Sequence, residues 1–245
     1  MISIVTGTLN RQNLLPDLID NTVNSDNRIE LILVDGGSTD GTIEYIKNLN
    51  HSNIKLIEVG ERSSYPHFMN LGIQNSSYDL ICQWNDDVLL VNTWGEVIDE
   101  ISNDYDFYLF DWKFGTKDDM KNHRWLSGED SSHPNKGWCL LNNIENPDPV
   151  TGNNEIVMNY GIYKKQIFKK IGLYNNDYHY YGADADMALR AYHFGYKVKD
   201  LRNIKVCTLP VDKRAILYPN EMEIFNKNKN FYENKILPES IKFLI

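Results

Sequence analysis

The sequence predicts an α/β fold, a doubly wound, mostly parallel mixed sheet flanked by helices. Three observations predict it. Through the first half of the chain, short apolar runs alternate with segments of helical pattern, as in strands joined by crossover helices. Those runs end on small and acidic residues, Gly7-Thr8, Asp35-Gly36-Gly37 and Asn85-Asp86-Asp87, at the strand ends where ligands of such sheets bind. A hydrophobic content of 42% with 12% aromatic residues over 245 positions is enough to fill a sizeable core.

The elements follow in order. Ser3 to Thr6, rich in β-branched residues, is the first strand, and Leu14 to Val23 the helix behind it. Glu30 to Val34 is the second strand, with a helix over Gly41 to Leu49 after the glycine-rich turn. Ile54 to Val59 is the third strand and Pro66 to Gln74 its helix, opened by a proline that suits a first turn. Leu80 to Trp84 is the fourth, a helix over Thr93 to Ile101 starts on a capping threonine, and Phe107 to Phe110 is the fifth.

From Asp111 to Asn154 the pattern is irregular, with Trp112, Trp125 and Trp138 spread among Gly, Asp, Asn and Pro. Such rings either offer a face to a sugar or seal a satellite core. Order resumes with a strand from Glu155 to Tyr163, a helix near Lys164 to Lys170 and another from Asp184 to Phe194. Residues 1–215 read as one domain, its halves meeting near residue 110, and residues 216–245 as a C-terminal helical extension with a helix around Glu221 to Lys229. The apolar end, Phe243-Leu244-Ile245, docks on the body, a partner or a bilayer surface.

A net charge of -9 and a pI near 5.1 argue against a nucleic-acid backbone as partner, which takes clustered Lys and Arg. Cys82, Cys139 and Cys207 are too scattered for a disulfide framework or a zinc site. The first residues read as a strand rather than a signal peptide, and no run approaches the roughly 20 apolar residues of a spanning helix. The expectation is a soluble, cytoplasmic protein that at most touches a membrane surface.

Two segments carry the chemistry. Crowded carboxylates at Asn85-Asp86-Asp87 repel each other and persist either because a hard cation holds them or as a polar turn closing a strand. Asp35-Gly36-Gly37-Ser38-Thr39-Asp40-Gly41-Thr42 joins strand to helix. Ser38 or Thr39 can cap that helix and Asp40 suits its positive end. It is neither a P-loop nor a dinucleotide fingerprint. A purely structural turn needs its glycines and cap but has no special use for Asp35.

Asp184 and Asp186 are separated by helical spacing. Asp184 shares a face with Met187, Ala188 and Ala191, and Asp186 with Arg190 and His193. Asp186 reads as an exposed partner of Arg190. Asp184 reads either as a helix N-cap or as a general base at the cleft.

In order and spacing, Ser3-Ile4-Val5-Thr6-Gly7-Thr8-Leu9-Asn10-Arg11, the segment Asp35 to Thr42, Asn70-Leu71-Gly72-Ile73, Asn85-Asp86-Asp87 and Gly182-Ala183-Asp184-Ala185-Asp186-Met187-Ala188-Leu189-Arg190 resemble the signatures of family 2 glycosyltransferases with the GT-A fold. The resemblance runs from about Met1 to Cys207. It implies inverting transfer of a sugar from a nucleoside-diphosphate donor to a hydroxyl of a glycan or lipid-linked acceptor. It also implies a donor-binding set of Thr8, Asp35, Asn85, Asp86 and Asp87, with Asp87 holding Mn2+ or Mg2+, and Asp184 as catalytic base.

The chain departs from the pattern at Gly36, where the family often has a second acid, and at Ala183, where it often has Glu. No histidine follows His193 to serve as a late metal ligand, so Asp212 could substitute, or Lys213 and Arg214 could neutralise the diphosphate. These departures leave open a non-catalytic protein that binds nucleotide sugars or glycans on the same scaffold.

Overall fold

A computed structural model describes residues 1–114, 161–179 and 183–208. Eight strands make one sheet: β1 (Ile2–Thr8), β2 (Ile29–Asp35), β3 (Ile54–Glu58), β4 (Leu80–Gln83), β5 (Val88–Leu90), β6 (Phe107–Phe114), β7 (Gly161–Lys164) and β8 (Val198–Thr208). Their spatial order is β3-β2-β1-β4-β7-β6-β8-β5. The first four pair in parallel, with Thr8 beside Asp35 and Val5 beside Gln83. β7 then pairs antiparallel with both β4 and β6, and β5 antiparallel with β8. β6 and β8 run parallel across a bulge between Phe110 and Asp111.

The helices are α1 (Leu15–Asn21), α2 (Thr42–Leu49), α3 (Tyr65–Asn75), α4 (Trp94–Asp99), α5 (Phe168–Ile171, entered through a 3-10 turn) and α6 (Ala183–His193). Two starts are capped as their residues dictate. Ser64 Oγ accepts from the His67 amide at 3.2 Å, and Thr93 and Glu96 form a reciprocal capping box.

Alternation along the strands splits the core between the two faces. Val5, Ile32, Val34 and Ile81 pack with α3, α5 and α6, whereas Ile4, Leu31, Leu33 and Cys82 pack with α1, α2 and α4. With both faces covered, β2 is buried along its whole length. Its acid, Glu30, is tolerated there because Ser3 Oγ and the Ser77 amide donate to it, each at 2.5 Å, and Lys55 stands 3.2 Å away. Burial pushes its carboxyl upward, but these donors outweigh burial and hold it below the usual range.

The sequence placed β1 to β4 and their helices within a residue or two. It missed β5 and β8. The predicted strand 155–163 lies partly outside the described residues, and the part within them is β7. Trp125, Trp138, the extension 216–245 and residues 212–214 also lie outside them. Among the described residues no helix is long and apolar enough to cross a membrane.

Candidate active site

The carboxyl ends of β1, β2 and β4 meet. Thr8, last in β1, donates its hydroxyl to Asp86 Oδ2 at 3.0 Å, and Arg11 Nε lies 3.9 Å from the same oxygen. Two predicted donor-site residues, Thr8 and Asp86, are thus in direct contact although 78 positions apart. Asp87 is 7% exposed, and Asn85 and Asp86 are half-buried. The bend is held by Trp84, whose amide donates to Val5 O at 3.0 Å and whose indole Nε1 donates to Val88 O at 2.9 Å.

Asp35 is fully buried and accepts from the amides of Gly37 at 2.8 Å and Ser38 at 2.9 Å, and from Ser38 Oγ. This corrects the expectation that a structural turn has no use for it: the carboxylate organises its own loop. Ser38 and Thr39 do not cap α2. The N-cap is Gly41, which has no side chain to offer, and Asp40 just before it accepts from the Thr42 amide at 3.0 Å and its hydroxyl at 2.6 Å.

The loop after β1 is pinned to the loop after β2. The Asn10 amide donates to Ser38 Oγ at 2.8 Å, the Thr39 amide to Asn10 Oδ1 at 2.8 Å, the Arg11 amide to Thr42 Oγ1 at 3.2 Å and the Gln12 amide to Asp40 Oδ2 at 3.1 Å.

The glycines explain one departure. A Cβ on Gly36 would stand 3.0 Å from Phe68 Cζ, and one on Gly7 2.9 Å from Phe68 Cδ2. The ring on α3 occupies the space that a second acid would need. Gly37 adopts φ 91°, and a Cβ there would meet Gly60 O at 2.6 Å, so only glycine lets the loops after β2 and β3 pass.

The second pair of predicted acids lies on α6. Asp184 sits half-buried in its first turn, where the positive helix end favours an anion. Asp186 is 2% exposed, not the surface partner expected of it. Arg190 turns inward, reaching Asp186 Oδ2 at 3.1 Å while donating to Leu173 O at 2.9 Å and to Ile171 O. Burial raises the Asp186 carboxyl above its ordinary range, against the pull of Arg190.

The turn that Arg190 holds leads to Tyr174. Its backbone is clamped by Asn70, which donates to Tyr174 O and accepts from Tyr174 N, each at 2.9 Å. Its hydroxyl donates to Gln83 Oε1, at the end of β4. Burial pushes the Tyr174 phenol far up, and the neighbouring charges, Asp184 among them, add to it. Tyr174 is thus tied to the end of β4, the strand leading to Asn85. The sequence reading missed this link, for which only the Asp186 to Arg190 spacing gave a local signal. His179 is exposed, and its carbonyl accepts from the Tyr65 amide at 2.8 Å.

Asn85, Asp86 and Asp87 offer only oxygen donors, the set that hard cations such as Mg2+ and Mn2+ prefer, with phosphates completing the shell. Among the described residues no group of three His, Cys, Asp or Glu side chains converges to hold a metal. The oxygen set fits a hard cation that a substrate's phosphates also ligate.

A family model described as glycosyl transferase family 2 matches residues 3–171. Among solved structures, the mannosyltransferase PcManGT from Pyrobaculum calidifontis, in complex with GDP-Man and Mn2+, superposes with a TM-score of 0.62 at 16% identity over 87% of this chain and 58% of that one. TarS 1-349 from S. aureus in complex with UDP-GlcNAc superposes with a TM-score of 0.64 at 15% identity, over 86% of this chain and 59% of that one. The fold is thus GT-A-like, and the chain spans under two thirds of these structures. No curated protein matches.

Proposed function

The chain belongs to glycosyl transferase family 2, and from that premise we propose that it transfers a hexosyl unit, with inversion, from a nucleoside-diphosphate sugar to a hydroxyl of a glycan or lipid-linked acceptor. The observation that carries the reading is the two-sided site. Thr8 and Asp86 join on the donor side, and Asp184 lies in the first turn of α6, in the half of the chain whose Tyr174 hydroxyl donates to Gln83 at the end of β4.

In this reading Asp184 accepts the proton of the acceptor hydroxyl. The acceptor oxygen bonds to the anomeric carbon while the bond from that carbon to the diphosphate oxygen breaks, its electron pair leaving with the diphosphate. Asp35 shapes the nucleoside side through the loop it organises. Asp87, with Asn85 and Asp86, would hold Mn2+ or Mg2+, which would neutralise charge on the leaving diphosphate. Tyr174 and Asn70 fix the spacing between the two halves, and a misplacement of about 1 Å there is enough to slow transfer on the order of 100-fold.

The test is Asp184→Asn. Binding is read by thermal shift with uridine, guanosine and thymidine diphosphates and their sugars, with and without Mn2+, and transfer by nucleoside-diphosphate release across an acceptor panel. We expect binding to survive and transfer to fall at least about 100-fold. Undiminished transfer removes Asp184 from the chemistry. Donor binding by wild type without turnover on any acceptor supports the binding-protein alternative.

A further inference from the structure

We propose that Arg11 is the resident counter-charge of Asp86 and that, when donor arrives, it turns from that carboxylate to the donor's diphosphate. The inference rests on the transferase reading and deepens its donor site. Arg11 Nε stands 3.9 Å from Asp86 Oδ2, near enough for attraction but beyond hydrogen-bond reach. The hydrogen bond to that oxygen comes instead from Thr8 Oγ1, at 3.0 Å. The carboxylate therefore does not consume the guanidinium's donors, and a planar fork of N–H groups is suited to a phosphate.

The backbone supports a moving arm on a fixed base. Arg11 donates its amide to Thr42 Oγ1 at the start of α2, at 3.2 Å, and its neighbours Asn10 and Gln12 donate theirs to side chains of the β2–α2 loop, at 2.8 and 3.1 Å. The Arg11 carbonyl accepts from Leu14 and Leu15 at the start of α1, at 2.9 and 3.3 Å. With the main chain held on both sides, a change of partner falls to the side chain, which is 18% exposed at the mouth of the site.

The arrangement sets two opposed effects. Without donor, the positive charge beside Asp86 competes with a cation approaching Asn85, Asp86 and Asp87. With donor, the same charge adds attraction for two phosphates. Arg11 would thus balance the charge of Asp86 while discouraging metal from loading without nucleotide. A residue that merely supports the loop weakens both ligands together when removed.

The experiment measures two affinities in wild type, Arg11→Gln and Arg11→Lys. Mn2+ alone is titrated with free ion read by electron paramagnetic resonance. Calorimetry follows UDP, GDP and dTDP with Mn2+ present, beside the matching nucleosides. We expect Arg11→Gln to bind Mn2+ alone roughly threefold tighter, to bind the preferred nucleoside diphosphate about tenfold more weakly, and to bind the nucleoside as wild type does. Arg11→Lys, with the charge but not the fork, falls between. Nucleoside diphosphate affinity unchanged in Arg11→Gln, or both affinities lowered, overturns the inference while leaving the transferase reading standing. Wild type that binds none of the three nucleotides overturns that reading and this inference with it.

Discussion

Gly72→Ala tests whether α3 is seated on β1 as closely as the donor side requires. A Cβ at Gly72 would stand 2.1 Å from Val5 Cγ1 and 3.3 Å from both Val5 Cβ and Cγ2, where carbon atoms prefer about 3.5–4.0 Å. Val5 is fully buried and β-branched, so relief takes either a rotamer change that strand packing resists or a retreat of the helix. Such overpacking costs about 3 kcal/mol at the upper end of its usual range. Alanine's better helix propensity returns about 1 kcal/mol. The expected net loss is about 2 kcal/mol, read as a lower urea midpoint at unchanged slope. Val5→Ala alone removes buried methyl groups and loses about 2 kcal/mol by cavity formation. In the double variant the new methyl fills the old cavity. The pair should then be more stable than the sum of the singles by at least about 1 kcal/mol. Unchanged stability in Gly72→Ala, or singles that add in the double, refutes the close-seating argument. Because α3 also carries Phe68 against Gly7 and Gly36, Gly72→Ala should weaken nucleotide binding as well.

Three further substitutions probe buried charge. Glu30 has a carboxyl held below its ordinary 4.5 by Ser3, Ser77 and Lys55 against burial, so its contribution is present above the unfolded value and lost as pH falls through the folded one. Glu30→Gln should cost about 2 kcal/mol at neutral pH, with the gap from wild type closing below pH about 4; a constant gap in denaturant melts across that range counts against the charge. Arg190→Met should destabilise by about 3 kcal/mol, since it strands Asp186 and two carbonyls. Asp186→Asn should cost less, because burial already opposes that charge; the reverse ranking in thermal melts contradicts the assignment.

What the sequence made legible follows from how local the determinants are. The first four strands declare themselves by apolar runs, and their turns by glycine and aspartate at the ends. β5 spans only Val88–Leu90, too few residues for any period to register. β8 escaped because lysine, arginine, aspartate and asparagine interrupt its apolar positions. The insertion of β7 between β4 and β6 is set by pairing across distant segments, which no local pattern encodes. The same distinction divides the candidate site. Thr8 and Asp35 end their strands, Asp86 lies just after its own, and all three were visible. Tyr174 and Gln83 matter only through contacts 91 positions apart.

Aspartate identity alone misleads here, and the surroundings of each carboxylate separate its roles. Asp35 receives three hydrogen bonds from the two residues after Gly36, which leaves it chiefly a loop organiser. Asp186 is buried against Arg190, which also binds two carbonyls, so its charge is spent inside the acceptor half. Asp86 is different. The Thr8 hydroxyl at the end of β1 donates to it, and the Arg11 guanidinium stands 3.9 Å away. Asp35 is satisfied by the backbone and a short side chain of its own loop, whereas the charge facing Asp86 comes from an arginine whose backbone is pinned elsewhere. In the proposed transferase reading, Asp86 and Arg11, more than Asp35, would be where the donor's charge is met.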